Sequence, residues 1–239
     1  QQLCEIIDVI REKMGVSFLI AFVAVILEFL IAIPLGITAA THQYSARDYV
    51  VTVLVMIGIS LPAFFFGQVL KDLFANKLGW FPPSGMTDAT QSYKGFAMIL
   101  DYLKHMFIPV LTVVILSIGG RMRMTRTNML EVMNSDYIRT ARAKGLGEGK
   151  VVYKHAFRNT LIPLVTSLAG LLPSLFSGAI ITEQVFDLPG IGNVAYKAMI
   201  VADIPFIMGY NMFLALLSVL GVLLSDLAYG IVDPRVKLE

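Results

Sequence analysis

Five runs of mostly apolar residues, each close to the length that crosses a bilayer, leave this 239-residue chain few folds to adopt. Crossing about 30 Å of hydrocarbon at about 1.5 Å per helical residue takes about 20 such residues. The runs cover roughly 16–40, 49–70, 104–130, 159–182 and 204–227. The third is centred on Met106 to Gly120 and is short by itself. It reads as helix continuing in both directions, with Lys104 and Arg121 snorkelling to the two interfaces. No ten-residue alternating pattern of a β-barrel occurs, so the expected fold is an all-α integral membrane protein, a polytopic helical bundle.

Composition agrees. Hydrophobic residues make up 56% and charged residues 15%, with mean hydropathy +0.74. Soluble domains run at about 45–50% and about 25%. Disorder and collagen-like sequence are excluded, and the single cysteine, Cys4, makes no intrachain disulfide. A net charge of +2 gives no reason to expect nucleic acid.

Orientation follows from lysine and arginine. Nine of them (Arg121, Arg123, Arg126, Arg139, Arg142, Lys144, Lys150, Lys154, Arg158) face only three acids between positions 121 and 158. That loop is expected to be cytoplasmic, with the 41–48 turn and the tail from Asp226. The N-terminus and the 71–104 and 183–203 loops then fall outside. Five spans with an outside N-terminus predict a further span upstream of Gln1. Residues 1–15 are too charged for a signal peptide.

Prolines at 34, 62, 109, 163 and 173 interrupt the runs. In the fourth, Thr166, Gly170, Ser174 and Gly178 recur every four residues, a strip on which another helix can approach closely. It serves packing within this chain, or else a subunit interface or pore lining. Glu28 is the one carboxylate well inside an apolar run; it faces a partner in the bundle or the translocation path, unless the span ends are misplaced. Two external segments, Leu78 to Gly85 and Glu183 to Gly192, read as turns at the membrane surface, the second followed by an amphipathic stretch to Met199.

The most informative segment runs from Asn134 to Gly147. Ser135 or Asp136 caps a helix start, Gly145 suits a left-handed residue that ends it, and Leu146 supplies the accompanying apolar contact. The result is about two turns, unstable alone in water. With Tyr137, Ile138 and Ala141 exposed, it looks built to dock on a partner; the alternative is a basic loop on anionic lipid. A second helix is expected from about Glu148.

The segment Tyr137-Ile138-Arg139-Thr140-Ala141-Arg142-Ala143-Lys144-Gly145, with His155 and Arg158-Asn159 behind it, resembles the EAA loop of ABC-importer permeases. The dipeptide/oligopeptide branch is the nearest likeness. Ile33-Pro34-Leu35-Gly36, Gly58 to Pro62, Gly79 to Gly85, Glu183 to Gly192 and Asp233-Pro234-Arg235 extend the resemblance over almost the whole chain. The name-giving Glu-Ala-Ala is Arg139-Thr140-Ala141 here, and Arg158 replaces a frequent proline. The resemblance implies a type I importer permease lacking the first of six spans, in a bacterial cytoplasmic membrane. It also implies a coupling loop at 131–158, in which Tyr137, Ile138, Arg139, Ala141, Lys144, Gly145 and Leu146 meet an ATPase. Its partners would be a second homologous permease, two ATPase subunits and an extracytoplasmic binding protein, with peptide as cargo and ATP and Mg on the ATPases alone.

Other chemistry finds little support in the residues. Gly145 to Val151 superficially resembles a phosphate loop, but the glycine spacing is wrong and Val151 stands where a Mg-binding hydroxyl belongs. His42, His105 and His155 are scattered, and no nucleophile–base set is visible. The alternatives are the same machinery with another cargo (nickel chelate, glutathione, oligosaccharide), a stand-alone channel or secondary transporter, or an intramembrane enzyme.

Overall fold

The structure, a computed structural model, describes residues 2–88, 93–177 and 179–232. In chain order its helices are α1 (Gln2–Thr41), α2 (Ala46–Ser60), α3 (Ala63–Leu70), α4 (Phe96–Met133), α5 (Asp136–Ala143), α6 (Glu148–Lys150), α7 (Phe157–Thr166), α8 (Leu171–Ser177), α9 (Ile180–Val185), α10 (Ile191–Ile200) and α11 (Ile204–Val232). Wider π-helical turns continue α3 over Lys71–Lys77 and join α6 to α7 over Val151–Ala156. Among the described residues, three stretches, Glu5–Thr41, Phe96–Met133 and Ile204–Gly230, are long and apolar enough to cross a membrane unbroken. Without water inside the bilayer, a helix is the one open-ended segment that satisfies its own N–H and C=O groups.

Two of the apolar runs, 49–70 and 159–182, are each a broken pair. Between α2 and α3 the cause is Pro62, whose φ of −59° and ψ of 134° leave the helical region. Its ring also drives the preceding residue out of helix, and helix resumes only at Ala63. Between α7 and α8 lies a tight 3₁₀ turn over Ser167–Gly170. Pro34 and Pro109 sit inside α1 and α4 without ending them. Hydroxyls nearby donate to carbonyls one turn back, Thr38 to Pro34 O and Thr112 to Ile108 O, each at 2.8 Å.

Packing divides the chain into two units. The first comprises Gln1–Leu27, Leu61–Leu116 and Leu172–Leu217. Its core joins Ile10 to Ile191, Ala195, Ala198, Phe206 and Tyr210, while Phe18 packs against Phe176 with ring centroids 5.0 Å apart. Leu78 to Gly85 is an aromatic loop here, with Phe81 stacked on Phe107 at 4.4 Å and the Gly85 N–H bonded to Phe186 O at 3.0 Å.

The second unit comprises Glu28–Ser60, Ser117–Leu171 and Ser218–Glu239. Here α1 and α4 pack backbone to backbone: a Cβ on Gly36 would lie 2.7 Å from Thr125 Cβ and 2.9 Å from Met122 O. Gly119 of α4 leaves room for the Ile59 side chain of α2. Small residues at such crossings replace the hydrophobic drive that lipid withholds.

Candidate coupling element and buried polar sites

Helix α5 carries Asp136 in its first turn and Arg142 in its last, both favourable to the helix dipole. Ser135 occupies the N-cap position in extended conformation, but its hydroxyl donates backward to Val132 O at 2.6 Å instead of capping. The C-terminus is closed by a Schellman pair: Leu146 N–H reaches Ala141 O at 3.4 Å and Gly145 N–H reaches Arg142 O at 2.9 Å. Gly145 sits at φ +76°, left-handed backbone that suits glycine.

Contrary to the sequence reading, Ile138 and Ala141 are buried rather than exposed. They fill a cradle made by Ile37, Ala40, Met129, Val151, Val152 and Ala156. Two turns of helix cannot hold themselves in water, so the apolar stripe at i and i+3 goes to the support. Tyr137, Arg139, Thr140, Lys144 and Gly145 remain on the exposed side, and Leu146 packs partly into the cradle. Asn159 donates to the Tyr137 hydroxyl at 2.9 Å. Arg142 pairs with Glu148 at 2.6 Å, which holds its guanidinium above the usual range.

Glu28 lies against Arg121, Nε to Oε1 at 3.1 Å, and Arg121 also donates through Nη1 to Ser167 Oγ at 2.7 Å. Arg121 therefore does not snorkel. A charge facing another helix rather than the membrane edge takes a counter-charge there. Nor is Glu28 alone, because Asp48 and Glu183 are buried as well. Asp48 accepts both arms of Arg126 at 2.9 and 2.8 Å and the Tyr44 N–H at 3.1 Å. Nothing local advertised this pair: its partners are 78 residues apart and Asp48 reads as a turn residue. Asp48→Ala strands a charged donor and should lower stability by about 1–3 kcal/mol. A detergent thermal melt checks this, and an unchanged midpoint would show that the pair contributes nothing.

Glu183, expected in a surface turn, is 1% exposed. Ser17 donates to its Oε1 at 2.6 Å and the Asn193 N–H to its Oε2 at 2.8 Å, while Ser17 Oγ accepts the Ile191 N–H at 2.9 Å. The carboxylate thus receives the start of α10, where helix N–H groups lack internal partners. Gly190 and Gly192 leave it room: a Cβ on Gly192 would meet Oε2 at 2.9 Å. A signal existed in Pro-Gly-Ile-Gly following a glutamate, but it does not say which helix the glutamate serves.

Of the four-residue strip, Thr166, Gly170 and Ser174 are exposed on this chain, but the 3₁₀ turn interrupts their helical register. Gly178 and Asp233-Pro234-Arg235 lie outside the described residues.

Residues 32–238 match the family of binding-protein-dependent transport system inner membrane components. The chain belongs to this family. The permease is 37% identical, over 96% of its length and 72% of the relative's, to the oligopeptide transport system permease protein AppB of Bacillus subtilis (strain 168). It is 34% identical to the dipeptide transport system permease protein DppB of the same strain, over 97% of this chain and 71% of that one. Among solved structures, a chain of the MetNI methionine ABC transporter in an inward-facing conformation superposes with a TM-score of 0.71. It covers 95% of the permease and 97% of that chain at 18% identity, a likeness of fold. The all-helical permease is thus an integral membrane component of an ABC importer, and its fold is that of type I importer permeases.

Proposed function

We propose that this permease imports peptides across a bacterial cytoplasmic membrane, forming half of the translocation pathway beside a second, homologous permease. Two ATPase subunits power it and an extracytoplasmic binding protein delivers the cargo. ATP and Mg belong to the ATPases, and this chain holds neither. The names of the two Bacillus relatives support a peptide cargo. One observation carries the coupling role: α5 is anchored by Ile138 and Ala141 and ended by Gly145, and it presents Tyr137, Arg139 and Lys144 outward. A rigid, shallow helix held from beneath transmits a push to its support.

The test is affinity purification of the tagged permease from its native membrane in mild detergent. An ATP-hydrolysing subunit should co-purify, and the permease alone should show no saturable nucleotide binding. Absence of that subunit, or nucleotide binding by the permease alone, refutes the reading.

Orientation is checked by single cysteines at Ser84 and Gly147 in a Cys4→Ser background. A membrane-impermeant thiol reagent on intact cells should label the first and spare the second; the opposite pattern reverses the topology.

A further inference from the structure

We infer that Arg121 is a positioning residue for the fourth span: acting through Ser167, it holds the break between α7 and α8 and links that break to the helix that cradles α5. The functional half of this inference rests on the importer reading above; the structural half does not.

The break has more behind it than proline. Pro173 lies beyond the 3₁₀ turn, and α8 runs through it over Leu171–Ser177. At the turn itself, one hydroxyl has two tasks. Ser167 Oγ donates to Leu164 O at 2.6 Å and accepts Arg121 Nη1 at 2.7 Å. A hydroxyl has one hydrogen and two lone pairs, so both bonds form together. Back-bonding by serine often accompanies a bend in a helix. Another helix also reaches the backbone where α7 ends, since Ser225 of α11 donates to Val165 O at 3.2 Å. Side chains from two other helices therefore service the same interrupted turn. Satisfying freed backbone groups in this way is what permits irregular backbone at membrane depth.

Arg121 is itself held on three sides. Its Nε donates to Glu28 Oε1 at 3.1 Å, its Nη1 to Ser167, and its guanidinium carbon lies 4.5 Å from the centroid of the Phe29 ring. The planar fork can serve Glu28 and Ser167 together, which a lysine ammonium, a compact point charge, cannot do in the same geometry. Eight residues further along α4, about 12 Å at the helical rise, Met129 forms part of the cradle for Ile138 and Ala141. Displacement of α5 passes to α4 through that cradle and reaches the fourth span through the Arg121–Ser167 bond. An arginine inside the bundle is costly to keep, and its neutralisation by Glu28 accounts for its tolerance but not for its second arm on Ser167.

The experiment compares Ser167→Ala, Ser167→Thr, Arg121→Lys and the double variant Arg121→Lys/Ser167→Ala in the assembled transporter. Two quantities are read: cargo moved per ATP hydrolysed in proteoliposomes, and hydrogen exchange of the amides of residues 167–170. Ser167→Ala removes both hydroxyl bonds; transport per ATP should fall about fivefold, the equivalent of about 1 kcal/mol for one bond, and exchange should quicken. Ser167→Thr keeps the hydroxyl and should match the wild type in both. Arg121→Lys should reproduce the alanine effect on transport, and the double variant should be no worse than either single change.

An unchanged ratio in Ser167→Ala, a loss equally severe in Ser167→Thr, or additive losses in the double variant overturns the inference. So does failure of Ser167→Ala to assemble while Ser167→Thr assembles, which makes the hydroxyl structural only. A wild-type complex without cargo-stimulated hydrolysis would fault the importer reading instead, and the exchange measurement still decides whether Ser167 holds the break.

Discussion

Replacing Gly145 by valine is expected to uncouple the permease from its ATPase while leaving membrane insertion intact. The space around Gly145 is open: a Cβ there has no neighbour within 4 Å. The cost is conformational. At φ +76° any β-carbon costs about 1–2 kcal/mol, and a β-branched side chain suffers more. That sum falls on a helix of eight residues with little stability of its own. If the left-handed residue is lost, so are the bonds from Leu146 to Ala141 and from Gly145 to Arg142, and the chain enters α6 in another direction. Binding-protein-stimulated ATP hydrolysis and transport should both fall at least tenfold in the reconstituted complex, the equivalent of about 1.4 kcal/mol. Gly145→Asn, which tolerates left-handed backbone, should lose far less. Wild-type rates in Gly145→Val would show that the 131–158 loop is not the coupling element.

Glu183→Ala should have the largest effect on stability. The change leaves the Asn193 N–H and the Ser17 hydroxyl without their acceptor in a site closed to water. Each stranded group costs about 1–3 kcal/mol, so the loss should reach several kcal/mol. It acts where α1, α9 and α10 meet, since Ser17, Glu183 and Ile191 come one from each. The start of α10 should loosen, and cleavage by trypsin at exposed Lys197 should quicken many-fold in detergent. Glu183→Gln keeps the shape but turns one acceptor into a donor that faces other donors; it should fall between alanine and wild type. Equal protease resistance in all three proteins would show that the carboxylate does not anchor α10.

Much of this permease is legible in its sequence, because the features concerned are properties of contiguous residues. Length and apolarity alone mark segments that a bilayer accepts, and the absence of water inside it forces them into helix. The end of α5 is equally local: Gly145 takes a conformation that other residues avoid, and Leu146 stands next to it. Even so, a local reading misplaced Ile138 and Ala141, because an amphipathic stripe says that one face is apolar and not what that face meets. The breaks at Pro62 and at Ser167–Gly170 lie between these cases. Proline makes a break admissible, but Pro34 and Pro109 stay inside helices, so a proline alone does not settle the outcome.

The polar anchors are tertiary throughout. Glu28 meets Arg121 across 93 residues, Arg126 meets Asp48 across 78, and Ser17 meets Glu183 across 166. No spacing encodes such pairs. A buried charge announces only that it needs a partner, and which helix supplies one depends on the faces that packing brings together. The sequence by itself determined a helical membrane protein with a short, glycine-ended helix in its most basic loop. Only the tertiary structure decided which charges are neutralised and what holds the fourth span broken, because those depend on side chains converging within about 3 Å from helices that the chain places far apart.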